Sequence, residues 1–337
     1  VTGEWVVANV ESRKLVVDTD PGADDAVALL VLSVYAARGQ VEVLGVGSVH
    51  GNVSAPQAAD NALRVLEACG LGDVPVAVGA DSPLAGDRLG TAEFVHGHDG
   101  LGGFAGPAAG RRPVGHSAAE QLVAIARAHP GEVSLLALGP LTNLALALRM
   151  EPELPELLRE VVWMGARIRV PGNLTAHADA NTLHDAIAAD QVFAAGFPLT
   201  VVPLDVTQST WADELWLSRV AEAKAPLADH ALAVIDHYVG VYSEIEGHSR
   251  GGRGCVLHDP VAAVVMLEPE LAGYEEHPIV VELEGKYTYG ATLVDLRGYV
   301  TPVDPGPEGR PPVRVAMTVN ADAVMDRIGH ALGVVPR

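Results

Sequence analysis

Short apolar runs alternate along this chain with longer segments whose apolar residues recur at helical spacing. Residues 15–17, Leu-Val-Val, form a continuous apolar run that predicts a buried strand, and residues 26–35 follow with the period of a helix. The same alternation continues. Strands are predicted at 41–49, 76–78, 135–138, 161–164 and 199–203, and helices at 55–68, 117–128, 141–150 and 185–195. In the 55–68 segment Ala58, Ala62, Val65 and Leu66 share one face, and Ser117 with Glu120 reads as a capping box that opens the next helix. Such alternation predicts one α/β domain over residues 1–337, built on an open, mostly parallel, Rossmann-like sheet with helices on both faces. Ligands of such folds sit beyond the carboxyl ends of the strands. That rule brings residues 18–25, 47–52, 139–143 and 165–181 to one rim. The Gly- and Ala-rich stretch 97–113 predicts a mobile loop, as does 247–254, while 278–294 reads as paired strands and 301–312 as a turn. No internal repeat is present.

Composition narrows the partners. Apolar residues make up 49% of the chain and charged residues 19%, which is a globular balance. Only 22 Lys and Arg face 43 Asp and Glu, for a net charge of −21. A protein that grips nucleic acid must neutralise phosphates, so nucleic acid and anionic membrane are excluded as expected partners, and a small neutral or cationic substrate or a metal ion is favoured. Two distant cysteines, Cys69 and Cys255, build neither a disulfide framework nor a thiolate site. With no signal-like apolar core in residues 1–14 and no membrane-length apolar run, the expected location is the cytoplasm.

The densest chemistry lies in Val16-Val17-Asp18-Thr19-Asp20-Pro21-Gly22-Ala23-Asp24-Asp25-Ala26, where four carboxylates fall within eight residues at a strand end and helix start. Their repulsion is costly unless positive charge sits among them. A helix N-terminus helps Asp24 and Asp25 but cannot satisfy four, whereas a hard divalent cation with oxygen ligands can. An EF-hand is excluded: counted from Asp18, the fifth position is Gly22 and the twelfth Leu29. A haloacid-dehalogenase-like phosphatase also begins with strand-Asp-x-Asp, but the second aspartate pair departs from it, and Lys14, Lys224 and Lys286 stand in no matching context.

The 18–26 segment resembles the signature of the inosine–uridine preferring nucleoside hydrolases, the ribonucleoside N-ribohydrolases. Further segments resemble that family in order: Val49-His50-Gly51-Asn52, Val95-His96-Gly97-His98-Asp99-Gly100-Leu101-Gly102, Leu138-Gly139-Pro140-Leu141-Thr142-Asn143, Val162-Trp163-Met164-Gly165, Leu257-His258-Asp259-Pro260-Val261-Ala262, and the closing hairpin at 285–298. The resemblance implies the nucleoside hydrolase fold and calcium-dependent hydrolysis of the N-glycosidic bond of purine or pyrimidine ribonucleosides. It implies that Asp20, Asp25, Asp259 and the Leu138 carbonyl hold Ca2+, and that Asp20 also takes the proton of the attacking water. Asp24 and Asn52 would hold the ribose hydroxyls, and Met164, Asn173 and Asn181 would line the sugar site. Asp18 would lie deeper, behind the ligands. His258 is the expected acid for the leaving base, because an imidazole can change charge near neutral pH, with His96 and Tyr242 as lesser candidates at the mouth. The family also implies a homodimer or homotetramer.

One segment departs from the family. In Asn173-Leu174-Thr175-Ala176-His177-Ala178-Asp179-Ala180-Asn181, Asp179 stands where Glu is usual and Ala180 where Phe is usual, and His177 replaces a Pro. The later Asp-Pro-Glu-Ala reads Asp185-Ala186-Ile187-Ala188. The resemblance places these residues at the ribose 5′ end, so a looser contact to the 5′-hydroxyl is expected there. A catalytically inactive nucleoside- or sugar-binding homologue is the non-enzymatic alternative.

Overall fold

A computed structural model describes residues 12–297, 299 and 309–335. Its centre is an eight-stranded sheet: β1 (Arg13–Thr19), β2 (Val41–Ser48), β3 (Val76–Val78), β4 (Val133–Ala137), β5 (Leu158–Met164), β6 (Leu199–Val202), β7 (Ala272–His277) and β8 (Val313–Val319). The strand order is β3-β2-β1-β4-β5-β6-β8-β7, parallel throughout except that β7 runs antiparallel to β8 at the edge. The chain winds outward through β2 and β3 and then returns to β4 on the other side of β1. The order therefore reverses between β1 and β4, and a crevice opens at their carboxyl ends.

The longer helices are α1 (Ala23–Ala37), α2 (Ala55–Ala68), α3 (Ala118–Ala128), α4 (Thr142–Met150), α5 (Ala186–Ala194), α6 (Glu214–Ala223), α7 (Pro226–Ile245), α8 (His258–Leu267) and α9 (Ala321–Ala331). Side chains alternate across a strand, and here that alternation divides the core in two. Leu15, Val17, Leu136, Val162 and Val202 pack with α1, α2 and α6–α9, while Val16, Leu135, Val161, Trp163 and Val201 pack with α3, α4 and α5 on the other face. Strands buried on both faces read as unbroken apolar runs, which is why 15–17 and 161–164 are legible as sequence. Ser117 and Glu120 form the expected capping box.

Two expectations change. Residues 247–254 are not an irregular loop: Gly247–Arg250 is a helical turn, and Gly254–Cys255 pairs antiparallel with Ala212–Asp213. The paired strands of 278–294 shrink to Val280–Val281 against Thr292–Leu293. The turn at 301–312 and the end of the closing hairpin lie partly outside the described residues, as does most of the 1–14 stretch. No helix among the described residues is long and apolar enough to cross a membrane.

Candidate active site

The crevice between β1 and β4 is a cavity of about 280 Å³. Asp24, Asn52, Leu138 and Asp259 line its floor, Asn173, Asp179, Ala180 and Asn181 one wall, and Tyr238, Tyr242 and His258 the other. Residues more than 200 positions apart in sequence meet here. Asp24, from the first turn of α1, and Asp259, from the first turn of α8, line the cavity, and Asp20, just past the end of β1, and Asp25, beside Asp24 in α1, lie buried next to them.

Carboxylate oxygens of Asp24, Asp25 and Asp259 lie within 4.8 Å of one another, all buried. Asp25 accepts hydrogen bonds from the Thr19 hydroxyl, from Gly22 N at 3.0 Å and from the Asn52 amide at 3.1 Å, and its carboxyl group lies within hydrogen-bonding reach of that of Asp259. Asp20 accepts from Asn52 N at 2.7 Å through Oδ2, while its buried Oδ1 has no partner among the described residues. Glycines make this crowding possible. A Cβ on Gly51 would stand 1.9 Å from Asp20 Oδ2, and one on Gly139 2.7 Å from Oδ1. Behind them Asp18 accepts from the Asn143 amide at 2.8 Å, and the same nitrogen donates to Ser48 O.

The electrostatics follow from burial. Desolvation, then the Asp25 charge, pushes Asp20 and Asp259 well above the usual carboxylate range and raises Asp24 to about 7. Burial raises Asp18 to about 7, against the pull of its Asn143 hydrogen bond. Among the described residues no lysine or arginine pairs with any of the four clustered carboxylates. An oxygen-only set with one orphaned carboxylate oxygen matches what a hard divalent cation requires, so these residues fit a metal ion.

The other candidate residues divide by their contacts. The Asn181 amide donates to Leu138 O at 2.6 Å and Met164 O at 2.9 Å, which ties the ends of β4 and β5 to the cavity wall. His96 Nδ1 accepts from Ala23 N at 3.0 Å, so its proton is on Nε2, and burial holds the ring neutral at about 3. His258 is similarly held at about 3 by burial, then by the Arg250 charge. Its Nδ1 meets Thr207 Oγ1 at 2.8 Å and its Nε2 meets the Tyr242 hydroxyl at 3.0 Å. Asn173 accepts from Ala180 N at 2.9 Å on the exposed wall. Asp179, read from sequence as a sugar contact, caps the turn Ala180–His184 and accepts from both the nitrogen and the hydroxyl of Thr182.

The sequence reading missed Thr207, Gln208, Tyr238, Ile245 and Glu246. A usable signal was present: Thr207 and Gln208 follow β6, and the carboxyl end of a parallel strand is where ligands bind.

The model of the inosine-uridine preferring nucleoside hydrolases matches residues 15–326. The chain belongs to this family. It is a nucleoside hydrolase, an enzyme that splits ribonucleosides into ribose and free base. Uridine nucleosidase 1 of Arabidopsis thaliana is 37% identical over 94% of this chain and 92% of that protein. The inosine-uridine preferring nucleoside hydrolase of Crithidia fasciculata is 34% identical over 85% and 88%. Among solved structures, a plant nucleoside hydrolase superposes with a TM-score of 0.88 at 31% identity, covering 96% of this chain and 99% of the other. Family membership removes the phosphatase reading, and the nucleoside hydrolase fold expected from sequence stands.

Proposed function

We propose that this nucleoside hydrolase works with a calcium ion held by Asp20, Asp25, Asp259 and the Leu138 carbonyl, and that uridine and inosine are among its substrates. The observation that carries the reading is the buried, oxygen-only cluster at the switch point, with one carboxylate oxygen of Asp20 unpartnered. When bound, the ion supplies positive charge that orients and acidifies water and grips ribose hydroxyls. Asp20 accepts the proton of the attacking water; the Asn52 backbone fixes its Oδ2 and leaves Oδ1 for that task. Asp24 and the Asn52 side chain hold the ribose hydroxyls. Cleavage builds an oxocarbenium-like sugar, and the carboxylates beneath it stabilise that charge.

The leaving base takes a proton or a hydrogen bond at the opposite wall. Because Tyr242 hydrogen-bonds His258 Nε2, we assign delivery to the pair, with the Tyr242 hydroxyl toward the base and His258, anchored by Thr207, behind it. His96, a neutral donor from Nε2, reaches the same mouth. Uridine is proposed because the relatives at 37% and 34% identity carry it in their names. The working form is proposed to be a homodimer or homotetramer.

The test is ribose release from uridine and inosine before and after chelation. Release should fall by several orders of magnitude on chelation and return with added Ca2+. Full activity in chelator would overturn the metal assignment, and no ribose from either nucleoside with calcium present would overturn the substrate assignment.

A further inference from the structure

We infer that Gln208 reads the hydrogen-bonding edge of the leaving base, its carboxamide pairing with the adjacent donor and acceptor that a nucleobase presents opposite its glycosidic bond. The inference rests on the nucleoside hydrolase reading of the cavity and adds the element that recognises the base.

The polar groups of the cavity divide into those already engaged and those still available to a ligand. The floor carries the carboxylates and Asn52, which suit a sugar. The far wall, where the base must lie, consists of Tyr238, Tyr242, His258, Ile245, Glu246 and Gln208. Most of its polar groups are engaged. The Tyr242 hydroxyl, backed by His258, is assigned to proton delivery, Tyr238 is hydrogen-bonded to Tyr242, and the Glu246 carboxylate is paired with Arg250 Nε at 2.5 Å. Ile245 is 61% exposed and, with Leu174 at 48%, gives the mouth an apolar rim. The Gln208 side chain has no hydrogen-bond partner among the described residues.

Its backbone, by contrast, is pinned. Gln208 N donates to Leu204 O at 2.9 Å, and Gln208 O accepts from Arg250 Nη1 at 2.6 Å. Arg250 is itself fixed by Glu246 and lies over the Trp211 ring at 5.1 Å. The preceding residue, Thr207, anchors His258. Gln208 therefore presents a free carboxamide on a fixed stem, one residue from the group that holds His258 in place. Both polar backbone atoms being occupied, the side chain is what this residue can offer a ligand.

A carboxamide places an N–H donor beside a carbonyl acceptor. Uracil offers N3–H beside O4, and hypoxanthine N1–H beside O6, so each makes a paired contact with it. Rotating the amide by 180° matches the reversed order in cytosine and adenine. Gln208 therefore selects for an unsubstituted edge and tolerates either purine or pyrimidine, while the apolar rim contributes contact without direction. A base whose edge is blocked leaves the amide unpaired in a desolvated site, which carries a penalty.

The experiment compares kcat/KM for uridine, 3-methyluridine and p-nitrophenyl riboside, with wild-type enzyme and with Gln208→Met, a near-isosteric apolar replacement. Wild type should prefer uridine to 3-methyluridine by roughly tenfold to a hundredfold, the worth of one or two hydrogen bonds. Gln208→Met should bring that ratio close to one by lowering uridine, and should cost p-nitrophenyl riboside, which lacks the edge, far less. A wild-type enzyme that treats uridine and 3-methyluridine alike overturns the inference without any variant. Equal losses on all three substrates in Gln208→Met overturn it in favour of a structural role. Absence of ribose release by wild type from both uridine and p-nitrophenyl riboside would overturn the reading of the cavity and the inference with it.

Discussion

Two regions of this molecule bury carboxylates, and they do so in opposite ways. In the 179–185 segment, Asp179 accepts from Thr182 through both oxygens, and Asp185 accepts from Ala188 N, Leu84 N and the Thr142 hydroxyl. Each is a helix cap whose capacity is filled by donors of the protein. Across the cavity, Asp20, Asp24, Asp25 and Asp259 crowd together, one oxygen of Asp20 has no donor, and two carboxyl groups lie close enough to share a proton. Burial alone does not mark a functional acid, since all six are at least nine-tenths buried. The distinguishing property is unmet demand: one set is complete within the fold, and the other is completed by what binds.

That contrast is broken most directly at Asp20 and Asp185. Asp20→Asn keeps size and the Asn52 contact while removing a charge repelled by Asp25, so the metal-free protein should be no less stable than wild type. Its turnover of uridine should nevertheless fall by roughly three orders of magnitude or more, as for loss of a water-activating base in a positioned site. Ribose release measured beside a melting curve decides it, and near-normal release would remove Asp20 as the base. Asp185→Ala is the mirror image. It strips a cap and leaves the Leu84 N–H and Thr142 hydroxyl unpaired, so unfolding free energy should drop by about 2–4 kcal/mol. Denaturant titration measures this, and an unchanged midpoint would show that water replaces the carboxylate.

The same contrast explains what the sequence made legible. Asp18, Asp20, Asp24 and Asp25 stand within eight residues, so their shared predicament is local and visible in one dimension. Asp259 is reached only through the fold, and the motif around His258 was its one visible mark. The early strands were readable because double burial leaves unbroken apolar runs; β7, the edge strand, carries Glu275 and Glu276, and β8 is interrupted by Arg314, and neither was identified. Neither was α7, although Pro226 at its first turn is a helix-start signal. Asp179 shows the converse: it lines the cavity, as its place in the sequence implied, but the hydrogen bonds that turn its carboxylate toward Thr182 become evident only in three dimensions.

His50 and His184 lie against the satisfied region, and they sharpen the comparison through pH. His50 Nε2 meets the Thr142 hydroxyl at 3.1 Å, which in turn donates to Asp185, and the two rings stand 6.0 Å apart. Burial lowers both from 6.5 to about 4, aided at His50 by the Arg88 charge and at His184 by the charges of His50 and Arg88. Below pH 6.5 the unfolded chain takes up protons that the folded chain refuses. Their contribution is therefore intact above about pH 6.5 and is lost progressively as pH falls toward 4. Asp18 and Asp24, raised from 3.8 to about 7, bind protons more readily when folded and act in the opposite direction throughout that range. The measurement is accordingly a difference between wild type and His50→Gln/His184→Gln in unfolding free energy at pH 7.5 and 5. Wild type should lose more stability than the variant, and parallel losses would sink the assignment.

The smallest expected effect tests whether the filled carboxylates stay out of the chemistry. The family resemblance places the 5′ end of the ribose at Asp179 and Ala180, where a longer acid and an aromatic ring are usual. Here the Asp179 carboxylate is turned into its own helix, taken by the nitrogen and hydroxyl of Thr182, and Ala180 leaves its stretch of cavity wall without a large side chain. Asn173, the other amide nearby, accepts from Ala180 N and so has its oxygen committed too. A pocket built to hydrogen-bond a hydroxyl rejects the analogue lacking it by roughly four to five orders of magnitude in favourable cases, because its own groups are left unpaired. Among the described residues the one group left at this edge is the Asn173 amide nitrogen, which is exposed so that water replaces a lost partner, and removing the hydroxyl therefore orphans little. We therefore expect 5′-deoxyinosine to be hydrolysed within about tenfold of inosine in kcat/KM, the scale of a single exposed hydrogen bond. A penalty of about a thousandfold or more, inside the range for a hydroxyl-reading site, would mean that Asp179 or Asn173 releases its internal partner on binding. The division between satisfied and unsatisfied carboxylates would then hold only for the ligand-free enzyme.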